Sequence, residues 1–192
     1  LVYENDLAKY RLPAVVSLKP EEGDLVYNQA YLKFNVVFTA PDPDWLSFAA
    51  TTIKMEDFIV GLSFPLEFPI TFAERGDGAT INYLGHNPAP VLIDLRGDAA
   101  VNPIIENTTT GYTIETQDLT LAVGERLLIN TNPKSLSVQF DDGTGVLVDA
   151  WNKIKFGSEF WNLISGTNQI SFSATSGTPE CYLTYYTRYS GV

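Results

Sequence analysis

The chain has 192 residues, 45% of them apolar and 12% aromatic, enough to bury one good-sized core with room for an appendage. Its formal charge is −11, with 12 basic residues against 23 acidic ones and no basic cluster, so the cation-driven binding that nucleic acid requires is not expected. One cysteine, Cys181, rules out an intrachain disulfide or a zinc cluster, and no apolar run approaches the ~20 residues of a membrane span.

The sequence opens LVYEND and its only methionine is Met55, so the chain is expected to be a fragment or processed product with sequence missing upstream. Period-two alternation then dominates. Ala14, Val16 and Leu18 alternate, as do Leu32, Phe34, Val36 and Phe38, with KPEEGD as turn chemistry nearby. The two runs read as an antiparallel pair with one wet face. APDPDW closes the second run, because its prolines remove ladder donors. Residues 45–60 (WLSFAATTIKMEDFIV) stay open between a short helix and an irregular crossing.

In FPLEFPITF, Phe64, Leu66, Phe68, Ile70 and Phe72 share one face, while Pro65 and Pro69 take the other. Two prolines exclude a central strand and suggest an edge strand or a linker belt on a hydrophobic surface. The charged, glycine-rich ERGDG that follows is the best boundary signal in the chain.

From about residue 79 the text becomes short strands separated by turn signals. Val91, Ile93 and Leu95 alternate, then Leu119, Leu121 and Val123, Leu127 and Ile129, Leu136, Val138 and Phe140, Ile170, Phe172 and Ala174, and finally Cys181, Leu183 and Tyr185. A turn roughly every ten residues indicates an all-β, antiparallel sandwich or barrel. WNKIKFGSEFWNLI holds the only candidate helical turn of this stretch.

No motif in the sequence proposes catalytic residues. His86 is the only histidine and lies in the loop text LGHNPAP, with no nucleophile motif to serve. Glu21-Glu22, Glu56-Asp57 and Asp141-Asp142 are adjacent pairs, whereas a glycosidase needs two carboxyls facing each other across a cleft. Asp141-Asp142-Gly143 reads as hairpin turn chemistry. Asp42 and Asp44 do not match a calcium-loop spacing, no glycine-rich phosphate loop is followed by a helix start, and no metal or cofactor is expected. Asn107-Thr108-Thr109 fits a glycosylation acceptor but reads as a turn. Cys181, in an alternating run, reads as a small buried hydrophobe.

Aromatic surface remains. Trp45, Trp151, Phe160, Trp161, Tyr182, Tyr185, Tyr186 and Tyr189 could each pack a core or meet a partner, since Tyr and Trp combine area with a polar tip. In CYLTYYTRY, Tyr182, Tyr186 and Arg188 share the face opposite Cys181, Leu183 and Tyr185. Trp151, Trp161, Tyr182, Tyr186 and Arg188 are therefore the candidate contacts for a partner or a glycan. Phe160 and Trp161 are neighbours, so strand geometry sends one inward and one outward. The expectation is Phe160 in and Trp161 partly out, a sugar platform if exposed and a sandwich plug if buried.

Several segments, in order, resemble the distal tail protein family of siphophages and related prophages. YRLPAVVSLKPEEG…AYLKFNVVFTAPDPDWL resembles the end of that family's N-terminal domain, and FPLEFPITF its inter-domain segment. NPIIENTTTGYTIETQDLTLAVGERLLINT resembles the start of its C-terminal domain, with Val123 at the second position of the A-G-E text. SGTNQISFSA and LTYYTRY resemble its closing segments, with Ser165 and Thr187 where proline is usual. The resemblance implies residues 1–60 as the end of a ring-forming β domain, 61–78 as the linker belt and 79–192 as a galectin-like β-sandwich. It also implies a structural role at the tail tip, a hexameric ring in the full-length form, contacts with the tube, the tail hub and receptor-binding proteins, and no catalysis. The rival reading is a carbohydrate-binding module that contacts host envelope glycans. An enzyme ranks third, and fold alone does not imply sugar binding.

Overall fold

The computed structural model describes residues 1–5, 8–22, 34–55, 57–59, 74–76, 78–177 and 179–191. Among them every regular element is a strand except one 3-10 turn, Trp151–Lys153. The chain divides into two compact units, Leu1–Phe48 with Arg188–Val192, and Ala49–Thr187. This division lies upstream of the boundaries at 60 and 78 that the resemblance implies, and the closing residues return to the first unit.

In the first unit, Val2–Glu4, Lys9–Arg11, Trp45–Ser47 and Arg188–Tyr189 form an antiparallel sheet in that order. Its rings gather through cross-strand neighbours. Tyr3 stacks on Tyr10 at 6.4 Å, Tyr189 meets Tyr10 edge-on at 5.2 Å, and Trp45 meets Tyr3 at 6.2 Å. The expected hairpin is present as Val15–Glu22 against Phe34–Thr39. The strand runs through the KPEEGD text as far as Glu22, and its register slips between Leu18 and Glu21. Pro20 lies in that slip and cannot donate to the ladder, and a second slip falls between Val16 and Leu18. Val15, Val16, Val37 and Phe38 are all exposed, so both faces of the pair carry apolar surface rather than one dry and one wet face.

The second unit is a two-sheet sandwich. Its larger sheet runs Leu147–Asp149, Ser137–Asp141, Arg126–Asn130, Ala89–Arg96, Glu180–Tyr185, Thr51–Lys54, and Asn162–Leu163 pairs with the start of Ala89–Arg96. The smaller sheet runs Tyr112–Glu115, Ile104–Asn107, Gly166–Ser173, Gly78–Tyr83. All these pairings are antiparallel. Alternation decides which side chains turn inward. Val91, Ile93, Leu95, Leu127, Ile129, Cys181 and Leu183 from the larger sheet join Ile81, Tyr83, Ile105, Ile114, Ile170 and Phe172 from the smaller in one buried cluster. Each fully buried aliphatic chain stabilises the fold by ~1.5–3 kcal/mol.

Three short strands, Trp45–Ser47, Thr51–Lys54 and Asp57–Ile59, replace the helix considered for residues 45–60. Glu74–Gly76, from the ERGDG text, pairs with Asp57–Ile59 inside the second unit rather than marking a break. The FPLEFPITF segment lies outside the described residues. Two strands are shorter than their alternating text suggests. The strand Thr120–Leu121 stops before Val123, which is 80% exposed because Gly124, at φ 91°, turns the chain. Leu136 precedes its strand and is exposed.

Candidate functional site

The stretch that carries Trp151, Phe160 and Trp161 is a strap of the sandwich. Leaving the edge strand at Ala150, it makes the 3-10 turn, bridges Thr116 at Ile154 and then follows the strand Tyr112–Glu115. The Lys155 and Glu159 amides donate to the Glu115 and Thr113 carbonyls, both at 2.9 Å. The strap then crosses to the larger sheet, where Leu163 pairs with Ala89.

That course reverses the expected orientation of the aromatic pair. Trp161 is 1% exposed and among the largest fully buried side chains, while Phe160 is half-buried against the core edge. Strand alternation was the wrong guide because the pair sits on a crossing segment between two sheets. Trp161 is the plug and offers no face to a sugar. Its Nε1 is buried with no hydrogen-bond partner. Trp151 is 38% exposed and meets Phe160 edge-on at 5.6 Å, so a neighbouring ring already engages it.

Tyr182 lies on the outer face of the larger sheet within a charged ladder. Register places Lys54, Tyr182 and Asp94 in one row, and Glu180 and Arg96 in the next. Lys54 Nζ lies 2.6 Å from Glu180, the Tyr182 hydroxyl donates to Glu180 at 2.9 Å, and the Arg96 guanidinium covers the Tyr182 ring at 4.3 Å while bonding Asp94. The Lys54 contact holds the Glu180 carboxyl below its ordinary pKa, and donation to Glu180 raises that of Tyr182. This ladder was not read from the sequence, since its members come from three strands far apart in the chain. Tyr186 follows it, half-buried.

Arg188 departs from the face on which alternation put it. It lies in the first unit, where its Nη2 donates to both Asp42 oxygens at 2.8 and 2.7 Å and lies 2.8 Å from Asp44. The two aspartates of PDPD thus hold a cation of the chain itself. Among the described residues no group of three or more His, Cys, Asp or Glu side chains converges as a metal site. Of the five candidate contacts, the structure brings no three together. Trp161 is in the core, Trp151 on the strap, Tyr182 in the ladder, Tyr186 at its end and Arg188 in the other unit.

The residues considered for catalysis fall into structural settings. His86 is exposed in the turn around Tyr83, whose hydroxyl donates to the Asn87 carbonyl at 2.8 Å. Gly85 packs there so closely that a Cβ would come within 2.0 Å of the Tyr83 hydroxyl oxygen. Cys181 is buried, and burial pushes its thiol pKa far up. Asp141 makes the expected hairpin turn, with Oδ1 accepting the Gly143 and Gly145 amides at 2.9 Å and Oδ2 accepting Arg126 Nε at 3.0 Å.

Residues 84–189, more than half of the chain, match the family model described as siphovirus-type tail component, C-terminal domain. The chain belongs to that family. It is accordingly a component of the phage tail, and the matched residues take in most of the sandwich. No curated protein matches the chain significantly. Two solved structures resemble it, the phage P2 baseplate in its activated conformation with calcium and the same baseplate with strontium. Identities are 12% and 13%, and the TM-score is 0.55 for each. Each match covers 95% of this chain but only 66% of the baseplate chain, so this tail component spans just under two thirds of the length of those chains. At that identity the likeness speaks to fold.

Proposed function

We propose that this chain is a structural hub of the tail tip, joining the tail tube to the host-adhesion apparatus. The observation that carries the reading is the family match across the sandwich. Its first unit belongs to a ring-forming domain that closes as a hexamer. Its sandwich is galectin-like and presents the attachment surface for receptor-binding proteins. The work is assembly, without chemistry: identical subunits bury aromatic and strand-edge surface against one another and against the tube. The sealed Cys181 thiol and the exposed, loop-borne His86 agree with that role.

Negative-stain electron microscopy of the protein as its whole gene encodes it tests the reading. Six-fold rings support the hub, and monomers at micromolar concentration overturn it. The rival glycan-binding reading loses Trp161 as a platform and rests on the partly exposed Trp151. A glycan screen in which Trp151→Ala abolishes binding without unfolding would revive it.

A further inference from the structure

Among the described residues, the two sandwich sheets present four edges of unequal character. Thr51–Lys54 shows threonines and a lysine paired with Glu180. Tyr112–Glu115 is covered by the strap. Gly78–Tyr83 turns the polar Thr80 and Asn82 outward. The fourth edge, Leu147–Asp149 with Val146 before it, is bare and apolar: Val146, Leu147 and Val148 are 63%, 41% and 52% exposed. Edges are normally blunted by lysine or other charge, proline, shortness or a bulge, and of these the rung has its three-residue length and Asp149. The text DDGTGVLVDAWN has neither lysine nor proline, and the register to Ser137–Asp141 is regular.

This edge is also held in place. The Asp141 carboxylate ties down the hairpin through Gly143, Gly145 and Arg126, and Asp142 Oδ1 accepts the Thr144 amide at 3.1 Å. A strand added to a rung already fixed in this way forfeits less ordering entropy than one that must first shape its template.

Charge selects the occupant. No Lys or Arg occurs from residue 135 to 152, while Asp142 and Asp149 are exposed beside the apolar rung. A second copy would bring the same acids and a further net charge of −11. We propose that Leu147–Asp149 is a docking edge that accepts, as an added strand, an extended segment of another protein alternating apolar and basic residues. Main-chain bonds would supply affinity, Val146 and Val148 the apolar contacts, and the aspartates the preference for cations.

The test titrates isotopically labelled protein with a capped hexapeptide alternating lysine and valine, and with its glutamate counterpart. The lysine peptide is expected to shift the amides of residues 146–149 saturably, the glutamate peptide not at all. Val148→Lys should weaken the response about tenfold or more while leaving the core amides in place. Should that variant not fold, Val146→Lys, on the same face, carries the same comparison. Shifts outside this edge, or equal response to both peptides, overturn the proposal. So does self-association in sedimentation that Val148→Lys abolishes, because the occupant would then be a second copy. Neither readout depends on ring assembly, so failure here is distinct from failure of the hub.

Discussion

Arg188 donates to Asp42 across 146 residues of chain and, with the same nitrogen, touches Asp44 at 2.8 Å. Its neighbour Tyr189 pairs with Trp45, so the clamp and the strand pairing close the first unit together. The side chains of Arg188, Asp42 and Asp44 are only 17%, 27% and 10% exposed. Removing the cation leaves two carboxylates sharing a largely dry site, which costs more than losing an exposed pair.

Arg188→Gln is therefore expected to destabilise the first unit by ~2–3 kcal/mol, and Asp42→Asn by ~1 kcal/mol because Asp44 still holds the guanidinium. Hydrogen exchange checks this. Protection should fall at Trp45–Ser47 and Arg188–Tyr189 and stay constant at Ala89–Arg96. Equal loss in both units would falsify the clamp as a local device.

Trp161 separates the plug from the platform. Because its ring fills the sandwich end, Trp161→Ala should cost ~3–5 kcal/mol in urea unfolding. Trp161→Phe keeps much of the volume and removes an indole nitrogen that has no buried acceptor, so it should cost under about 1.5 kcal/mol. A platform would give the opposite pattern, with melting unchanged and sugar affinity gone.

What the sequence discloses here is what period two can carry. Val91, Ile93 and Leu95, or Leu127 and Ile129, face inward because each run belongs to a regular strand, and the DDG text makes its turn through contacts within five residues. Phe160 and Trp161 defeat the same rule because they lie on a segment that pairs with one sheet and then crosses to the other. Arg188 defeats it because its partners come from the far end of the chain. Thr51–Lys54 has too little apolar text to declare itself a sandwich strand, and only pairing with Glu180–Tyr185 reveals Ile53 as inward. The bare edge at residues 146–148 was not read from the sequence, because alternation says nothing of which strand ends a sheet.

Cys181 should be silent in the native state. It is 1% exposed, and burial disfavours its thiolate, the reactive form. A disulfide exchange reagent at pH 8 should modify it only at the rate of unfolding, and fully in denaturant. Rapid native modification would mean that Glu180–Tyr185 opens locally, against the pairing it makes on both sides.

Acid should loosen the sandwich at the hairpin that carries the bare edge and at the Glu180 ladder. The Gly145 amide, with Arg126 and Gly143, holds the Asp141 pKa below its ordinary 3.8, the Thr144 hydroxyl and amide do the same for Asp142, and Lys54 and Tyr182 hold Glu180 below 4.5. A carboxyl depressed in the folded state binds fewer protons there than in the unfolded chain. Its contribution is present in full above the ordinary value and is lost as pH falls through the lower folded one. Stability should thus be level towards neutrality and decline below about pH 4.5. Asp141→Asn still offers an oxygen to the glycine amides but cannot titrate or pair with Arg126. It should be weaker than wild type at neutral pH, and the gap should narrow towards about pH 3. Urea midpoints across that range decide it: parallel curves for the two proteins would remove Asp141 as the source of the acid response.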